Sequence, residues 1–331
     1  MVLGSGHNNS AHATAKEMVN PAGRSGHRPS HIVTGNSRRA GSSSAEVFAP
    51  LAFYPLRGQC DVSRAPKVSV VVPCFNHGEF LPEAVASVTA STKRDDVELI
   101  VVDDGSTDER TRTEIDGLTA QGIKVLRQEN KGLAAARNAG IAASKGEYIF
   151  PLDADDHLRP GCLDHGIQIL DANPEVGIVY GDGEYFGIRS GRWHIGPFDQ
   201  SRLLQWNYIA CCAVYRRSVW EQNRGYDGTM PVQGLEDWDF WLGALEHGWQ
   251  FAYVPEILFE YRIAKESMIT RTFGFEAQIE TFIGMKHGLL YEQAWRELAR
   301  EHESVKATFR NLRRLLKARL QGKFQKNGTR D

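Results

Sequence analysis

Three carboxylates follow a short apolar run and are the first residues in the chain that could hold a metal ion. Residues 146–157 read GEYIFPLDADDH, and the apolar letters YIFPL predict a buried β-strand. Carboxylates are not buried without a partner, so Asp153, Asp155 and Asp156 are expected where this strand emerges at a site. Asp153 and Asp155 would face the same side of an extended chain, and paired oxygen donors suit Mg²⁺ or Mn²⁺ bound to phosphates. An acidic turn that caps the next helix is the alternative.

Polar clusters also follow two earlier apolar runs. Residues 68–73 (VSVVVP) and 97–102 (VELIVV) each predict a strand, and Asn76 follows the first while Asp103 and Asp104 follow the second. These strands alternate with helical patterns, which predicts an α/β fold: a mostly parallel sheet with helices on both faces. Ligands bind such sheets beyond the carboxyl ends of the strands, so the acids of the separate strands should meet at one edge.

The second half of the chain is less regular. The sequence indicates a strand over residues 209–215 and two more over 249–254 and 257–262, which Pro255 would separate. The last fifty residues or so have helical patterns. The sequence therefore predicts further strands beyond the parallel half and a helical end to the chain.

Another acidic pair begins a predicted helix. Glu236 and Asp237 precede apolar residues at helical spacing, and acids in a first helical turn complement the helix dipole without any further role. Upstream, Trp206 and Tyr208 fall outside periodic segments. Aromatic rings outside periodic segments are candidates for contact with a ligand.

The composition is that of an ordinary globular protein. The formal net charge of −2 over 331 residues makes no electrostatic case for nucleic acid as the main partner. No apolar run reaches the roughly 18 residues of a membrane span, and the amino terminus lacks a signal peptide's apolar core. The odd, scattered set of cysteines resembles neither a disulfide framework nor a zinc site and favours a reducing compartment: Cys60, Cys74, Cys162, Cys211 and Cys212. We therefore expect a cytoplasmic protein.

From about Lys67 to Ser267 the chain resembles family 2 glycosyltransferases. These enzymes have the GT-A fold and transfer a sugar from a nucleotide-sugar donor with inversion. The resemblance covers about two-thirds of the chain and is specific because six segments occur in the family's order. The segments are VSVVVPCFN (68–76), VVDDGSTD (101–108), NKGLAAARNAG (130–140), GEYIFPLDADD (146–156), ED (236–237) and YR (261–262).

The resemblance implies a nucleotide pocket at the ends of the first two strands. Pro73 and Phe75 would line the space for the nucleobase and ribose. Asp104, with Asp103 beside it, would recognise the base, which in this family is typically uracil. The donor is therefore expected to be UDP-linked.

The resemblance also implies residues that handle the diphosphate. Arg137 would lie near the donor phosphates and sugar. Asp153 and Asp155 match the family's D-x-D pair, with Asp155 the direct ligand of Mg²⁺ or Mn²⁺ and Asp153 nearer the ribose. Arg262 matches an arginine of a late segment that closes over the diphosphate, although the histidine that often follows it is replaced here by the sequence IAK at 263–265.

Asp237 matches the family's catalytic base, which would take the proton of the acceptor hydroxyl. Glu236, Trp206 and Tyr208 are the candidates for contact with the acceptor. The implied activity is metal-assisted transfer to a glycan or lipid-linked acceptor in glycan or cell-envelope polysaccharide synthesis. A nucleotidyltransferase that makes nucleotide sugars and a non-catalytic sugar-nucleotide-binding module are the alternatives.

The predicted organisation has three parts. Residues 1–45 are rich in Ser, Gly, Asn and His and predict a disordered leader, with a transit peptide as the alternative. Residues 46–270 form the GT-A domain, divided into a nucleotide-binding half (67–182) and an acceptor half (183–270). Residues 271–331 form a helical extension whose basic final helix is either a solvated face or a peripheral contact with the inner face of the membrane.

Overall fold

One mixed sheet organises the part of the protein that the structure describes. The structure is a computed structural model, and it describes residues 65–264, 272–301, 307–308 and 310–314. The predicted leader lies outside these ranges, as does most of the basic final segment. The nine strands of the described sheet are β1 (Val68–Cys74), β2 (Val97–Asp103), β3 (Lys124–Arg127), β4 (Tyr148–Pro151), β5 (His157–Leu158), β6 (Val176–Gly187), β7 (Gly191–Trp193), β8 (Val214–Arg216) and β9 (Gln250–Ile263).

Helices cover the sheet and extend the fold at its carboxyl end, which confirms the predicted α/β class. In the described part of the chain they are α1 (Leu81–Ser91), α2 (Glu109–Ala120), α3 (Leu133–Ala143), α4 (Cys162–Ala172), α5 (Gln200–Gln205), α6 (Arg217–Asn223), α7 (Glu236–Glu246), α8 (Glu276–Lys286) and α9 (Gly288–Glu301).

Most strands run in one direction, as the alternation of strands and helices predicts. The order across the sheet is β3-β2-β1-β4-β8-β6-β9-β5, with β7 paired to β6. Strands β1 to β4 are mutually parallel. Strand β8 is antiparallel to both β4 and β6, so β6 has the direction of β4, and β9 is parallel to β6. The carboxyl ends of β1, β2 and β4 therefore meet at one edge, where their polar residues follow.

The core of the parallel half follows from residue type. Every residue of β1 and β4 is buried, as expected for β-branched and aromatic runs covered on both faces. Helix α3 approaches this sheet closely through Gly140. A Cβ at Gly140 would lie 2.4 Å from Val71 Cγ1 and 2.9 Å from Val102 Cγ2, so the contact requires glycine.

Two predictions for the second half are wrong in detail. The strand expected over residues 209–215 is confined to β8, which begins at Val214. The two strands expected on either side of Pro255 are a single strand, β9, whose pairing with β6 shifts register between Gly181 and Asp182. Such a bulge accommodates a proline, because the local ladder is already interrupted.

The helical extension packs on α7. Lys286 Nζ donates to Asp239 Oδ2 at 2.8 Å, and His287 Nε2 lies 3.0 Å from Asp239 Oδ1. Among the described residues, no helix is both long and apolar enough to cross a membrane. The four cysteines within the described residues are free and buried.

Candidate functional site

The loop after β1 presents Phe75 at the edge of the sheet. Asn76 has φ +56°, in the left-handed region, and its Oδ1 accepts from the backbone N–H of Thr107 at 2.8 Å and of Asp108 at 3.2 Å. This binding to the next loop leaves the Phe75 side chain 42% exposed. Pro73 is instead buried within β1, so its predicted contact with a nucleotide is corrected: it supports the strand beneath the surface.

Asp103 and Asp104 are both buried and bind loop backbone. Asp103 Oδ1 accepts from Ser106 N at 2.9 Å. Asp104 accepts from Lys131 N at 2.9 Å and from Gly132 N at 2.8 Å, directly before α3 begins. A carboxylate is stabilised there because it faces the positive end of the helix dipole. The two acids therefore shape the loops of the predicted pocket, and recognition of a base by Asp104 stays a prediction.

Arg137 joins the acids of the two halves of the molecule. It projects from α3, is 1% exposed, and donates through Nη2 to Asp153 Oδ1 at 2.7 Å and through Nη1 to Glu236 Oε1. Gly234 N donates to the second oxygen of Glu236 at 2.9 Å. Glu236 is only 4% exposed, so its predicted contact with an acceptor is corrected: its carboxylate is a structural partner of Arg137.

The turn after β4 presents its acids in different directions. The Asp155 side chain is partly exposed, and burial, followed by the charge of Asp153, raises its pKa. Asp156 faces the interior, where its Oδ1 accepts from Arg262 N at 2.9 Å. Burial and the two neighbouring acids raise the pKa of Asp156 well above its usual range. Asp156 thus fixes the turn to β9, a role the sequence did not reveal.

The oxygen ligands that this turn offers fit a divalent cation that is bound by only one or two protein carboxylates. Within the described ranges, no cluster of three or more His, Cys, Asp or Glu side chains could hold a metal by itself. Mg²⁺ commonly takes one or two carboxylates and completes its shell with water and substrate phosphates. His77 Nδ1 lies 4.0 Å from Asp155 Oδ1, whereas Asp153 is already bound to Arg137. Asp155 is therefore the better candidate ligand of the two.

Arg262 lies beside this turn, at the end of β9. Its Nε donates to the backbone oxygen of Asp155 at 2.9 Å, and its Nη2 donates to Glu83 Oε2 at 2.6 Å. Its guanidinium carbon lies 4.3 Å from the ring centroids of both Phe80 and Phe186. The structure thus brings Arg262 to the candidate metal turn, and its contact with a diphosphate stays a prediction.

Asp237 is in the first turn of α7, beside Glu236 in sequence but in a different environment. Its Oδ1 accepts from Asn207 Nδ2 at 2.9 Å and from Trp238 N at 2.9 Å. In the described structure, no hydrogen bond reaches Oδ2. Burial, and next the charge of Glu236, raise the pKa of Asp237 to about 7, against the opposing effects of Arg137 and Asn207. A carboxylate with one open oxygen and a pKa near neutrality suits a general base.

The two aromatic side chains predicted to contact an acceptor differ in their exposure. Trp206 is partly exposed and remains a candidate for stacking on an acceptor. Tyr208 is 2% exposed, and its hydroxyl accepts from Asp199 N at 2.8 Å, so its predicted contact with an acceptor is corrected. Arg202 lies between the two rings, 4.9 Å from the Trp206 centroid and 4.0 Å from the Tyr208 centroid.

Two further residues at the site went unnoticed in the sequence. Asn207 binds Asp237, and Cys211 Sγ lies 3.6 Å from Asp153 Oδ2. Neither belongs to a recognisable motif, and their partners are 30 and 58 residues distant in the chain. Only the flanking aromatics of Asn207 mark this part of the sequence as unusual.

Comparison with known proteins identifies the class of the domain. Residues 69–224 match the family model described as "Glycosyl transferase family 2". This segment is therefore similar to family 2 glycosyltransferases, the family that the sequence motifs resemble. Asp237 and Arg262 lie beyond the matched segment. The S. aureus protein TarS, in its structure with UDP-GlcNAc, superposes with a TM-score of 0.51 at 19% identity, covering 62% of this chain and 60% of that one, and supports the GT-A fold.

Curated relatives carry similar names. Glycosyltransferase GlyG of Streptococcus pneumoniae is 38% identical over 135 residues, which are 38% of this chain and 44% of GlyG. The uncharacterized glycosyltransferase alr2836 of Nostoc sp. is 38% identical over 117 residues, 34% of this chain and 36% of that protein. The chain thus spans less than half the length of these two relatives.

Proposed function

We propose that this protein is an inverting glycosyltransferase that transfers a sugar from a UDP-linked donor to an acceptor hydroxyl. The observation that carries the proposal is the separation of two kinds of acid at one edge of the sheet. Asp153 and Asp155 form the donor-side turn, and Asp237 begins α7 with one open oxygen. The pair Arg137–Glu236 connects the two sites through buried ionic contacts.

The separation of the donor-side acids from Asp237 suits a single displacement at the anomeric carbon of the donor sugar. The acceptor hydroxyl loses its proton as it attacks, and Asp237 Oδ2 is open to receive that proton. A positioned base of this kind contributes on the order of 10²–10⁴-fold to the rate. A retaining or hydrolytic mechanism with two paired carboxylates would require a second acid held near Asp237. Glu236 does not serve because its oxygens bind Arg137 and Gly234.

On the donor side, Asp155 would bind Mg²⁺ or Mn²⁺, with Asp153 contributing more weakly. When bound, such a cation acts as a Lewis acid that stabilises the negative charge of a leaving nucleoside diphosphate. Phe75, whose ring is exposed, would contact the nucleobase or ribose. The fold neighbour TarS holds UDP-GlcNAc in its crystal structure, in keeping with a nucleotide-sugar donor here.

The proposed setting is synthesis of a glycan or cell-envelope polysaccharide, with a glycan or lipid-linked acceptor in the cytoplasm or at the inner membrane face. The basic final segment carries the proposed membrane contact. Trp206, beside Asn207 in sequence, is the proposed aromatic contact for the acceptor sugar.

A panel of nucleotide sugars, with detection of released nucleoside diphosphate, tests the proposal. We expect release from a UDP sugar in the presence of Mn²⁺ or Mg²⁺, and a loss of at least ~10²-fold in Asp237→Asn. Asp227→Asn is the matched control, because the hydrogen bonds of the Asp227 carboxylate are with Lys286 and Thr229 and not with Asn207 or Trp238, the partners of Asp237. Pyrophosphate release from UTP and a sugar phosphate would instead indicate a nucleotidyltransferase. UDP binding without any turnover, even with acceptors supplied, would indicate a binding module.

A further inference from the structure

The Asn207 side chain forms its hydrogen bond with another element, helix α7, and not with its own loop. Its Nδ2 donates to Asp237 Oδ1 at 2.9 Å. Its own carbonyl oxygen, Oδ1, is buried without any hydrogen-bond partner. A buried, unpaired amide oxygen is unfavourable, and native structures retain few of them. Because its one hydrogen bond in the described structure goes to Asp237, the side chain contributes nothing to the backbone of its loop.

The loop that carries Asn207 is held rigidly against α7. Trp238 Nε1 donates to Leu203 O at 2.7 Å, and Trp241 Nε1 donates to Ile209 O at 3.1 Å. These bonds lie on either side of the Asn207–Asp237 contact, so three hydrogen bonds join segment 203–209 to the first turns of the helix. A functional side chain held by such a frame keeps its geometry with little conformational freedom.

The neighbours of Asn207 tighten this frame. Trp206 and Tyr208 precede and follow it, and both rings lie against the Arg202 guanidinium. Arg202 Nη1 in turn donates to Ile195 O at 2.7 Å. The backbone of Asn207 is thus held on both sides by cation–π contacts to one partly buried cation, Arg202.

We propose that Asn207 is a positioning residue for the base Asp237 in the transfer reaction. The inference rests on the proposed function. Two hydrogen bonds, from Asn207 and from Trp238 N, fall on Oδ1 and fix the plane of the carboxylate. Oδ2 then points to the acceptor hydroxyl in a single orientation. Without the amide, the carboxylate would rotate about its χ2 bond, and Oδ2 would no longer keep a single orientation.

The amide also stabilises the ionised form of the base. The charged groups that face Asp237 are Glu236, which raises its pKa, and Arg137, which lowers it, and the Asn207 hydrogen bond acts in the same direction as Arg137. The free energy of a hydrogen bond to a charged group corresponds to a pKa shift of about one unit or more. Loss of the amide should therefore move the acidic limb of the activity profile to higher pH.

The test is the pH profile of kcat/KM for the full-length protein and for Asn207→Ala and Asn207→Ser. The wild-type limb is expected near pH 7, the value to which the pKa of Asp237 is raised. In Asn207→Ala it should move up by about one unit, with at least a ~5-fold loss at pH 7 and unchanged UDP affinity. Asn207→Ser keeps a hydrogen-bond donor and should recover part of the shift.

Asn173→Ala is the matched control. Asn173 is also a partly buried amide that donates to a backbone carbonyl, Ile169 O at 2.8 Å, but it lies before β6 begins, at the opposite edge of the sheet. Its profile should match that of the wild type. An unshifted limb in Asn207→Ala, or a loss of kcat equal at every pH, would overturn the inference.

A second measurement does not depend on turnover. The carboxyl ¹³C resonance of Asp237, assigned by its disappearance in Asp237→Asn, should titrate at higher pH in Asn207→Ala and in Asn207→Ser than in the wild type. An unchanged titration refutes the role of Asn207. A wild-type protein that is inactive with every nucleotide sugar refutes the proposed function instead, and the resonance still tests the Asn207–Asp237 contact.

Discussion

Replacement of Arg137 should destabilise the protein by leaving Glu236 charged and unpaired in the interior. Arg137→Met keeps the length of the side chain and removes its charge. Glu236 is 4% exposed and cannot regain water, whereas the Asp153 side chain is 27% exposed and can. Breaking a buried ion pair by removing one partner costs about 3–5 kcal/mol. Because water can solvate Asp153 in the variant, we expect the free energy of unfolding to fall by about 3 kcal/mol, the lower end of this range.

The double variant Arg137→Met with Glu236→Gln isolates the cause. Glutamine carries no charge, and its side-chain oxygen can still accept from Gly234 N, the second partner of Glu236. The double variant should therefore be more stable than Arg137→Met alone, by about 1–3 kcal/mol. Arg137→Lys keeps the charge but not the two-pronged geometry, so it should contact one carboxylate only and fall between the wild type and Arg137→Met.

Urea unfolding measures these differences as changes in midpoint at constant slope. Arg110→Met is the matched control, because Arg110 pairs with Glu79 at 3.7 Å on the surface, where both side chains are more than half exposed. Exposed pairs contribute about 0–1 kcal/mol. If Arg137→Met is no less stable than Arg110→Met, or if Glu236→Gln recovers nothing in the double variant, then the stranded charge is not the cause.

Three further outcomes follow from the structure. The wild-type kcat/KM should fall as the pH is lowered through about 7, because burial raises the pKa of Asp237 to about 7 and only the ionised form accepts a proton; a profile flat from pH 5 to 8 would contradict this. UDP affinity, measured by calorimetry, should fall in EDTA, and Asp155→Asn should abolish that difference; equal affinity with and without metal would exclude Asp155 as its ligand. Gly140→Ala should destabilise by about 1–3 kcal/mol, since its Cβ would lie 2.4 Å from Val71 Cγ1, whereas Gly117→Ala, with nothing within 4 Å, should be neutral or stabilising in urea.

The parallel half of the sheet could be predicted because its signals are local. Strands β1, β2 and β4 are apolar and largely buried runs, and a helix follows each of β1, β2 and β3 within a few residues. The mixed half could not be predicted as well. Strand β8 is three residues long and is fixed by its neighbours β4 and β6. The bulge that accommodates Pro255 depends on the pairing of β9 with a strand far away in sequence.

The candidate site shows the same division between local and distant contacts. The acidic turn after β4 was evident from the sequence, because carboxylates after a buried strand need a partner. The second partner of Arg137 could not be read from the sequence, since Arg137 and Glu236 are 99 residues apart. Asn207 has no motif, and its contact with Asp237 depends on the two hydrogen bonds by which Trp238 and Trp241 hold its loop on α7.

The neighbours Glu236 and Asp237 show most clearly why residue type alone could not assign the roles. Both are acids in the first turn of α7, and the helix dipole accounts equally for either. The helix turns by about 100° per residue, so the two carboxylates point to different surroundings. Glu236 points inward, where its carboxylate is bound by Arg137. Asp237 points to Asn207 and retains an open oxygen, and the charge of Glu236 beside it helps to raise its pKa. The buried Glu236 thus raises the pKa of Asp237, the acid that is available for proton transfer.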